Sequence, residues 1–181
     1  MVTFKKLWEN HPTITGNDNP CKTKGKINFP NQCAIRMGVA LAKCGVKTMY
    51  IPGATHCWYG HRKSEGHIVR AEELSNGLTR YPIQGIQKVI KVSPGDFSRE
   101  LSGKKGIIFF KDYWQRTNNG KKESFRNRSG DHIDLWNGSR MTDWFSWVRI
   151  NVRIGGFGVH SIPGAPSDFE DAKSVWFWRV L

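Results

Sequence analysis

Cys33 is the residue of this 181-residue sequence whose type and surroundings best suit nucleophilic chemistry. Pro30 and Asn31 precede it and are typical of a helix start, and Gly45 is typical of a helix end. The pattern predicts a helix over residues 32–44 with Cys33 in its first turn. Free backbone N–H groups and the helix dipole favour a thiolate there, which is the nucleophilic form of cysteine. The alternative is a small buried residue, because free cysteines are often buried.

A later segment, HIDLWNGSRMTDW over residues 132–144, predicts a β-hairpin. Its Asn-Gly pair is a strong signal for a two-residue type I′ turn. In that register Trp136 pairs with Ser139, and counting outward places His132 directly opposite Asp143. Opposed residues have Cβ atoms about 4.5–5.5 Å apart, so the two side chains are expected to meet.

A histidine held by a carboxylate is the general base of a catalytic triad. The predicted triad is therefore Cys33 as nucleophile, His132 as base and Asp143 as the orienting carboxylate. Asp134, two residues along the strand from His132, is the fallback orienter. The alternative is a surface histidine on a strand beside a solvated aspartate.

The polar segment over residues 52–66 is predicted to line the substrate groove, with Trp58 and Tyr59 as its walls. Equally, these aromatic rings are suited to anchoring the loop. The segment and the residue that follows it also contain ligand-type side chains, namely His56, Cys57, His61 and His67. Their spacing matches no standard zinc pattern, so the prediction is a site without a metal and an activity without a cofactor.

Hydrophobic periodicity indicates which elements position these residues. Helices are expected from Phe4 to the stop at His11-Pro12, over 32–44 and 67–80, and as a turn over 95–102; strands are expected over 47–53, 88–92, 106–114 and 175–181. Helices come first and strands cluster late, which favours an α+β architecture with an antiparallel sheet. The length of 181 residues suggests a single domain over residues 1–181.

The formal net charge of +13 and the isoelectric point near 9.9 imply anionic partners or an anionic surface. Nucleic acid, carboxylate-rich cell-wall polymer and an acidic inhibitor protein all fit. A basic run of Lys121, Lys122, Arg126 and Arg128 precedes the histidine. It is either a solvated loop or a contact for substrate carboxylates or an acidic inhibitor.

No apolar run approaches the roughly 20 residues that span a bilayer, so no membrane partner is expected. The N-terminal MVTFKKLWENHP lacks the apolar stretch and cleavage site of a Sec-type signal peptide. The expectation is a protein that stays in the cytosol or leaves by a route that needs no signal peptide.

Three blocks resemble the type VI secretion amidase effectors of family four, a branch of the NlpC-type peptidoglycan amidases. They are NQCAIRM at 31–37, KGIIFFKD at 105–112 and GDHIDLWNGSRMTD at 130–143, and the closing VWFWRVL resembles the family's terminal strand. The resemblance implies a papain-like cysteine peptidase fold. The family's triad corresponds to Cys33, His132 and Asp143. Some members carry cysteines where Met141 and Phe145 stand, so no disulfide is carried over.

The resemblance also implies a substrate and partners. The family hydrolyses the γ-D-glutamyl–meso-diaminopimelate bond of peptidoglycan stem peptides. Its members are made in the cytoplasm, delivered by the type VI secretion apparatus into the periplasm of rival bacteria, and blocked in the producer by a cognate immunity protein. These are the expectations for this chain.

Two competing interpretations remain open at this point. A basic nucleic-acid-binding module would need a basic stripe with exposed aromatic rings on one face. The charges here are spread along the chain and no standard binding motif is present, so no nucleic-acid partner is predicted. A thiol-dependent transferase would use the same triad as a hydrolase.

Overall fold

A computed structural model describes residues 1–118, 120–127, 129–142 and 169–181. Helices are α1 (Phe4–Asn10), α2 (Cys33–Lys43), α3 (Ala71–Arg80) and α4 (Phe97–Glu100). Strands are β1 (Lys22–Thr23), β2 (Lys26–Ile27), β3 (Ile90–Val92), β4 (Gly106–Trp114), β5 (Thr117–Asn118), β6 (Lys121–Lys122), β7 (Gly130–Trp136) and β8 (Ser174–Arg179). Within these ranges, none of the helices has the length and apolar character needed to cross a membrane.

The main sheet has four antiparallel strands in the order β3-β8-β4-β7. Two small hairpins, β1-β2 and β5-β6, lie outside it. The α+β architecture with an antiparallel sheet is therefore confirmed. Because β8 pairs with both β3 and β4, the C-terminal segment lies in the interior of the sheet.

The central strand β4 is apolar on both faces because both faces are covered. Ile107 and Phe109 point to the helical side, where they join the core formed with α1, α2 and α3. Ile108 and Phe110 point to the other side and pack with Phe97 and residues of β8. This burial explains why the predicted strand over 106–114 matches the observed one.

The helix that begins at Cys33 is buried along most of its surface and contacts β7. Gly38 allows close approach of the chain at Gly66, since a Cβ on Gly38 would lie 2.1 Å from the Gly66 carbonyl oxygen. The predicted helix over 32–44 is confirmed. The close approach at Gly38 places the segment around Gly66 directly against this helix.

Three sequence predictions differ from the structure. The segment 47–53 is not a strand; Thr48–Tyr50 forms a 3-10 turn. The helix expected from residue 67 begins at Ala71, because the preceding residues pair with the loop at 55–57 through the His56–Ile68 bridge and the Val69 N–H bond to Thr55. The basic run, for which a solvated loop is one expectation, begins in a short strand, because Lys121 and Lys122 pair with β5.

Candidate active site

Cys33 is the first residue of α2 and is 5% exposed. Asn31 Oδ1 accepts a hydrogen bond from the Cys33 backbone N–H at 3.2 Å, so Asn31 caps the first turn as its sequence position predicts. Gln32 holds the formal N-cap position but makes no capping bond. The start of α2 thus places the thiol where the first free N–H groups of the helix are.

Gln32 connects the helix start to a distant loop. Its Oε1 accepts from the Cys21 N–H at 2.8 Å, and its Nε2 donates to the carbonyl oxygens of Cys21 at 3.1 Å and Phe29 at 3.2 Å. Both amide hydrogens of Gln32 are therefore used in holding the backbone, which leaves neither for a substrate carbonyl. The side chain positions the chain around Cys33.

His132 lies on β7, paired with Phe110 of β4. Its ring lies beside two aromatic neighbours, with ring centroids 5.6 Å from Phe169 and 6.2 Å from Tyr113. A bulge in β4 follows Phe110, where Asp112 has φ 51°. Bulges re-aim side chains next to functional sites.

The His132 imidazole and the Cys33 thiol interact and shift each other's pKa. Burial alone would raise the pKa of Cys33, but its interaction with His132 outweighs burial and lowers that pKa. Burial would lower the pKa of His132, but its interactions with Asp134 and Cys33 raise it to about 9. The two shifts favour a thiolate–imidazolium pair, the reactive form of a cysteine nucleophile.

Asp134 is a buried carboxylate beside this pair. Its Oδ2 lies 3.8 Å from His132 Nε2, which is an ion-pair distance and too long for a hydrogen bond. Burial would raise the pKa of Asp134, but His132, His11 and Thr142 lower it to about 2. Within the described part of the chain, His132 Nε2 has no hydrogen-bond partner of its own.

His11 contacts Asp134, which the sequence did not indicate. In the sequence, His11 marks only the end of the first helix. The residue is 1% exposed, and its Nε2 lies 3.5 Å from Asp134 Oδ1. Burial lowers the pKa of His11 to about 4, so the ring is neutral at physiological pH. His11 directly follows α1, which packs against α2, and α2 in turn contacts β7, the strand of Asp134.

The predicted register of the turn after β7 is wrong. Trp136 pairs with Met141 rather than with Ser139, and Asn137 N–H bonds the Arg140 carbonyl at 3.0 Å. The loop therefore has four residues instead of two, and the count that set His132 opposite Asp143 does not hold. Asp143 itself lies outside the described residues.

A cleft of about 300 Å³ opens beside Cys33. Its lining includes Arg70, Arg116 and Asp131, and Trp114 forms part of its wall. Burial raises the pKa of Asp131 to about 6, and Arg116 Nη2 lies 3.6 Å from its Oδ2. The sequence analysis missed these two arginines, because they are far apart in the chain and outside the basic run.

The predicted groove walls lie next to the cleft's lining. Trp58 is 65% exposed and Tyr59 is 46% exposed. Both rings contact Phe29, at centroid distances of 5.0 and 5.6 Å, and Phe29 lines the cleft with Cys33. Neither Trp58 nor Tyr59 is among the described residues that line the cleft. Their role in binding the substrate therefore stays a prediction.

The basic run lies partly in the β5-β6 hairpin, where Lys121 and Lys122 are exposed, as is Arg126. Arg128 lies outside the described residues. Thr117 of the same hairpin lines the cleft, so the run is close to it in the chain. Its predicted role in contacting acidic groups stays a prediction.

Comparison with known proteins places the chain in a family. A model of "Type VI secretion system (T6SS), amidase effector protein 4" matches residues 29–178. No curated protein sequence matches the chain significantly.

Solved structures with the same fold include two from Enterobacter cloacae. One is the effector Tae4, with TM-score 0.60, 17% identity and coverage of 100% of this chain and 98% of that one. The other is the Tae4-Tai4 effector-immunity complex, with TM-score 0.59, 18% identity and coverage of 100% of both chains. A Tae4/Tai4 structure from Salmonella typhimurium has TM-score 0.54 and 18% identity, with coverage of 100% and 99%. Because the family model spans most of the sequence, this chain belongs to the type VI secretion system amidase effector 4 (Tae4) family.

Proposed function

We propose that this chain is a papain-like, NlpC-type cysteine peptidase, in a single domain over residues 1–181, that hydrolyses the γ-D-glutamyl–meso-diaminopimelate bond of peptidoglycan stem peptides. The observation that carries the proposal is the pair of Cys33 and His132, which shift each other's pKa, with Cys33 in the lining of a cleft. The family membership supports an amidase acting as an antibacterial effector.

Cys33 is the nucleophile in this proposal and His132 is the general base. The Cys33 thiolate attacks the glutamyl carbonyl and forms a tetrahedral oxyanion. His132 then gives its proton to the departing diaminopimelate amine, which leaves a thioester on Cys33. Water, deprotonated by His132, hydrolyses the thioester and releases the glutamyl carboxylate.

The oxyanion needs hydrogen-bond donors, and the Cys33 backbone N–H is the donor that the helix start provides. This N–H is bound to Asn31 Oδ1 at 3.2 Å, near the long end for such a bond. The substrate oxygen therefore competes with Asn31 for the same hydrogen. Gln32 is not proposed as a second donor, because its amide is bound to Cys21 and Phe29.

Asp143 is proposed as the carboxylate that orients His132, as the resemblance to the family's triad implies. The free Nε2 of His132 within the described part of the chain is consistent with that role. Asp134 contributes negative charge at 3.8 Å and holds the neighbouring Thr142. In this proposal Asp143 orients the base, whereas Asp134 fixes the chain at Thr142.

The cleft's arginines suit the substrate's acidic groups. A γ-linked D-glutamate keeps its α-carboxylate, and diaminopimelate carries carboxylates of its own. Arg70 and Arg116 line the cleft next to Cys33 and retain exposed guanidinium groups, 70% and 47% exposed. Arginine binds carboxylates through paired N–H donors, so these residues are proposed to hold the substrate.

The test is mass spectrometry of purified muropeptides after incubation with the protein. The expected products are one fragment that ends in the glutamyl carboxylate and one that begins with the diaminopimelate amine. Cys33→Ala is expected to give neither. Cleavage at another bond would overturn the assigned bond, and full hydrolysis by Cys33→Ala would overturn the enzyme assignment.

Compartment gives a second test, since we propose secretion by the type VI apparatus and action in the periplasm. Cytosolic expression is expected to be tolerated, and fusion to a periplasmic signal is expected to cause lysis that Cys33→Ala abolishes. Co-expression of a cognate immunity protein is expected to protect, in line with the effector-immunity complexes of the related folds. If the parent protein and Cys33→Ala killed equally well from the cytosol, and the protein bound DNA in a salt-sensitive way, the nucleic-acid alternative would be supported instead.

A further inference from the structure

Four side chains with metal-binding atoms converge at a place away from the catalytic pair. Cys21 comes from the first loop, and Cys57, His61 and His67 come from the segment before α3. One ligand atom from each lies within 4.8 Å of the others, and the two sulfur atoms are 3.3 Å apart. His56, weighed with the others from sequence, is not part of this cluster.

Three of the four residues in this cluster are buried, and the fourth is largely buried. Cys21 is fully buried, Cys57 is 6% exposed and His67 is 7% exposed. The side chain of His61 is 19% exposed. A zinc ion bound by two thiolates and two neutral imidazoles forms a site of zero net charge, which removes the cost of burying an unpaired ion.

Both histidines have a ring nitrogen free for a ligand. His61 Nε2 and His67 Nδ1 are buried and have no hydrogen-bond partner within the described part of the chain. Buried polar atoms usually have partners, so two such nitrogens beside two sulfurs need an explanation. The other nitrogen of His61, Nδ1, lies 3.4 Å from Glu65 Oε2. Metal-binding histidines commonly direct their second nitrogen to a carboxylate in this way.

Both sulfurs receive N–H donors. Asn28 Nδ2 lies 3.4 Å from Cys21 Sγ, and the Tyr59 backbone N–H lies 3.4 Å from Cys57 Sγ. Donors directed at sulfur stabilise the thiolate, which is the form that binds a metal.

We propose that Cys21, Cys57, His61 and His67 bind one zinc ion as a structural site. Two sulfur and two nitrogen ligands form the tetrahedral set that suits zinc, and four protein ligands leave no position for substrate. Bond lengths of about 2.3 Å to sulfur and 2.0–2.1 Å to nitrogen set the sulfurs about 3.8 Å apart. The two sulfurs therefore move apart by about 0.5 Å on binding, a small change for side chains.

The site connects two loops to the start of the catalytic helix. Gln32, next to Cys33, bonds both the N–H and the carbonyl of Cys21. Cys57 N–H bonds the His67 carbonyl at 2.7 Å, which closes the second loop. The zinc ion thereby fixes the loop that carries Phe29, one wall of the cleft, without taking part in hydrolysis.

The spacing explains why the sequence did not predict this site. Cys57, His61 and His67 lie within one segment, but the fourth ligand, Cys21, is 36 residues before Cys57. No local sequence pattern connects the four ligands. The fold brings Cys21 to the cluster, and His56 is not part of it.

The experiment measures bound zinc in the full chain carrying Cys33→Ala, so that the catalytic thiol neither binds metal nor harms the host. Protein made with added zinc and freed of loose metal by gel filtration is analysed by elemental mass spectrometry. About one zinc ion per chain is expected. Adding Cys21→Ser, Cys57→Ser, His61→Gln or His67→Gln is expected to lower the content at least fivefold.

Two substitutions serve as matched controls. Cys44→Ser removes a cysteine outside the cluster, and His56→Gln removes a half-buried histidine one residue from Cys57. Both are expected to retain the full zinc content. An absence of zinc in the parent protein, or equal loss in the controls, overturns the proposal.

Cobalt provides a readout that does not depend on the variants' folding. Adding Co²⁺ to the metal-free parent is expected to produce thiolate-to-cobalt charge-transfer bands and the strong visible bands of a tetrahedral ion. Glu65→Gln is expected to weaken zinc binding roughly tenfold in a chelator competition, because it removes the outer carboxylate. Cobalt bound without sulfur bands, or a parent protein whose mass lacks two hydrogens through a Cys21–Cys57 disulfide, overturns the proposal.

Discussion

The carboxylate of Asp134 holds Thr142 through two hydrogen bonds, one from the Thr142 hydroxyl at 2.6 Å and one from its backbone N–H at 3.2 Å. Its Oδ1 also accepts from the Leu135 N–H at 2.7 Å. Most of its acceptor capacity is therefore used in fixing the chain just before Asp143. The remaining approach to His132, at 3.8 Å, adds charge without a hydrogen bond.

This division of tasks predicts different effects for the two aspartates. Asp143→Asn is expected to lower turnover roughly 10²-fold or more with little change in melting temperature, because the base loses its orienter. Asp134→Asn is expected to reduce turnover less and to destabilise the fold, because the buried bonds of Thr142 are disturbed. Kinetics on one purified muropeptide and thermal unfolding of both variants decide this. If folded Asp134→Asn has the lower turnover, Asp134 is the orienter.

Cys33 is expected to react with iodoacetamide faster than Cys44 at mild pH. Cys44 is the more exposed residue, but burial raises the pKa of its thiol, whereas His132 lowers the pKa of Cys33. Reactivity follows the thiolate fraction rather than exposure alone. Peptide mapping by mass spectrometry after short labelling measures the order, and Cys44→Ser is the control that keeps hydrolysis. Faster labelling of Cys44 would contradict the ion pair.

Arg116→Ala is expected to raise KM for a muropeptide roughly tenfold and to leave kcat nearly unchanged, because it removes ground-state binding to a carboxylate. Arg99 is a suitable control, since it is an exposed arginine that pairs with Asp96 at 2.8 Å and does not line the cleft with Cys33. Steady-state kinetics of Arg116→Ala and Arg99→Ala on the same substrate test this. Equal KM values for the two variants would remove Arg116 from substrate binding.

His11 is expected to make the protein less stable as the pH falls below neutrality. Burial lowers its pKa from 6.5 to about 4, so the unfolded chain binds more protons between those values. Stability is therefore fully present above pH 6.5 and declines as the pH falls to about 4, by up to about 3 kcal/mol at 1.36 kcal/mol per pKa unit.

Urea unfolding at several pH values checks this against His11→Gln, for which the decline is expected to be smaller. Asp131, whose pKa of about 6 also falls in this range, is present in both proteins, so the difference between them isolates His11. The same pH slope in both proteins would show that His11 is not buried in its neutral form.

Gly38→Ala is expected to destabilise the protein by about 1–3 kcal/mol, since the new methyl group would meet the Gly66 carbonyl at 2.1 Å. Gly95→Ala is the matched control, because nothing lies within 4 Å of a Cβ there. Urea unfolding midpoints measure both, with the control within about 0.5 kcal/mol of the parent protein. A stable Gly38→Ala would mean that α2 and the Gly66 segment are not in close contact.

Local patterns determined much of the fold. The helix that starts at Cys33 and the strand over 106–114 both follow from the periodicity and end signals of short segments. Such signals act between residues a few positions apart, so they can be read without the rest of the chain. The family resemblance likewise rests on short blocks, and the family model confirms it over residues 29–178.

The turn after β7 is longer than the sequence signal indicates. Asn137 Oδ1 accepts from the N–H groups of Ser139 and Arg140, at 3.0 and 2.9 Å, which supports a longer loop than the expected one. Gly138, at φ 103°, also packs against Gly103, whose N–H bonds the Gly138 carbonyl at 2.9 Å. The Asn-Gly signal identified the place of the turn, whereas its register appears only in the folded chain, together with the local bonds of Asn137 and the contact with Gly103.

By itself, the sequence determined the nucleophile candidate, its helix, the histidine strand and the family, because each depends on neighbours within a few residues. The contact of His11 with Asp134, the two arginines at the cleft and the meeting of Cys21 with Cys57 were decided by the tertiary structure. These contacts join segments far apart in the chain. Their geometry follows from how the helices pack on the sheet, and close packing is a property of the whole fold rather than of any one segment.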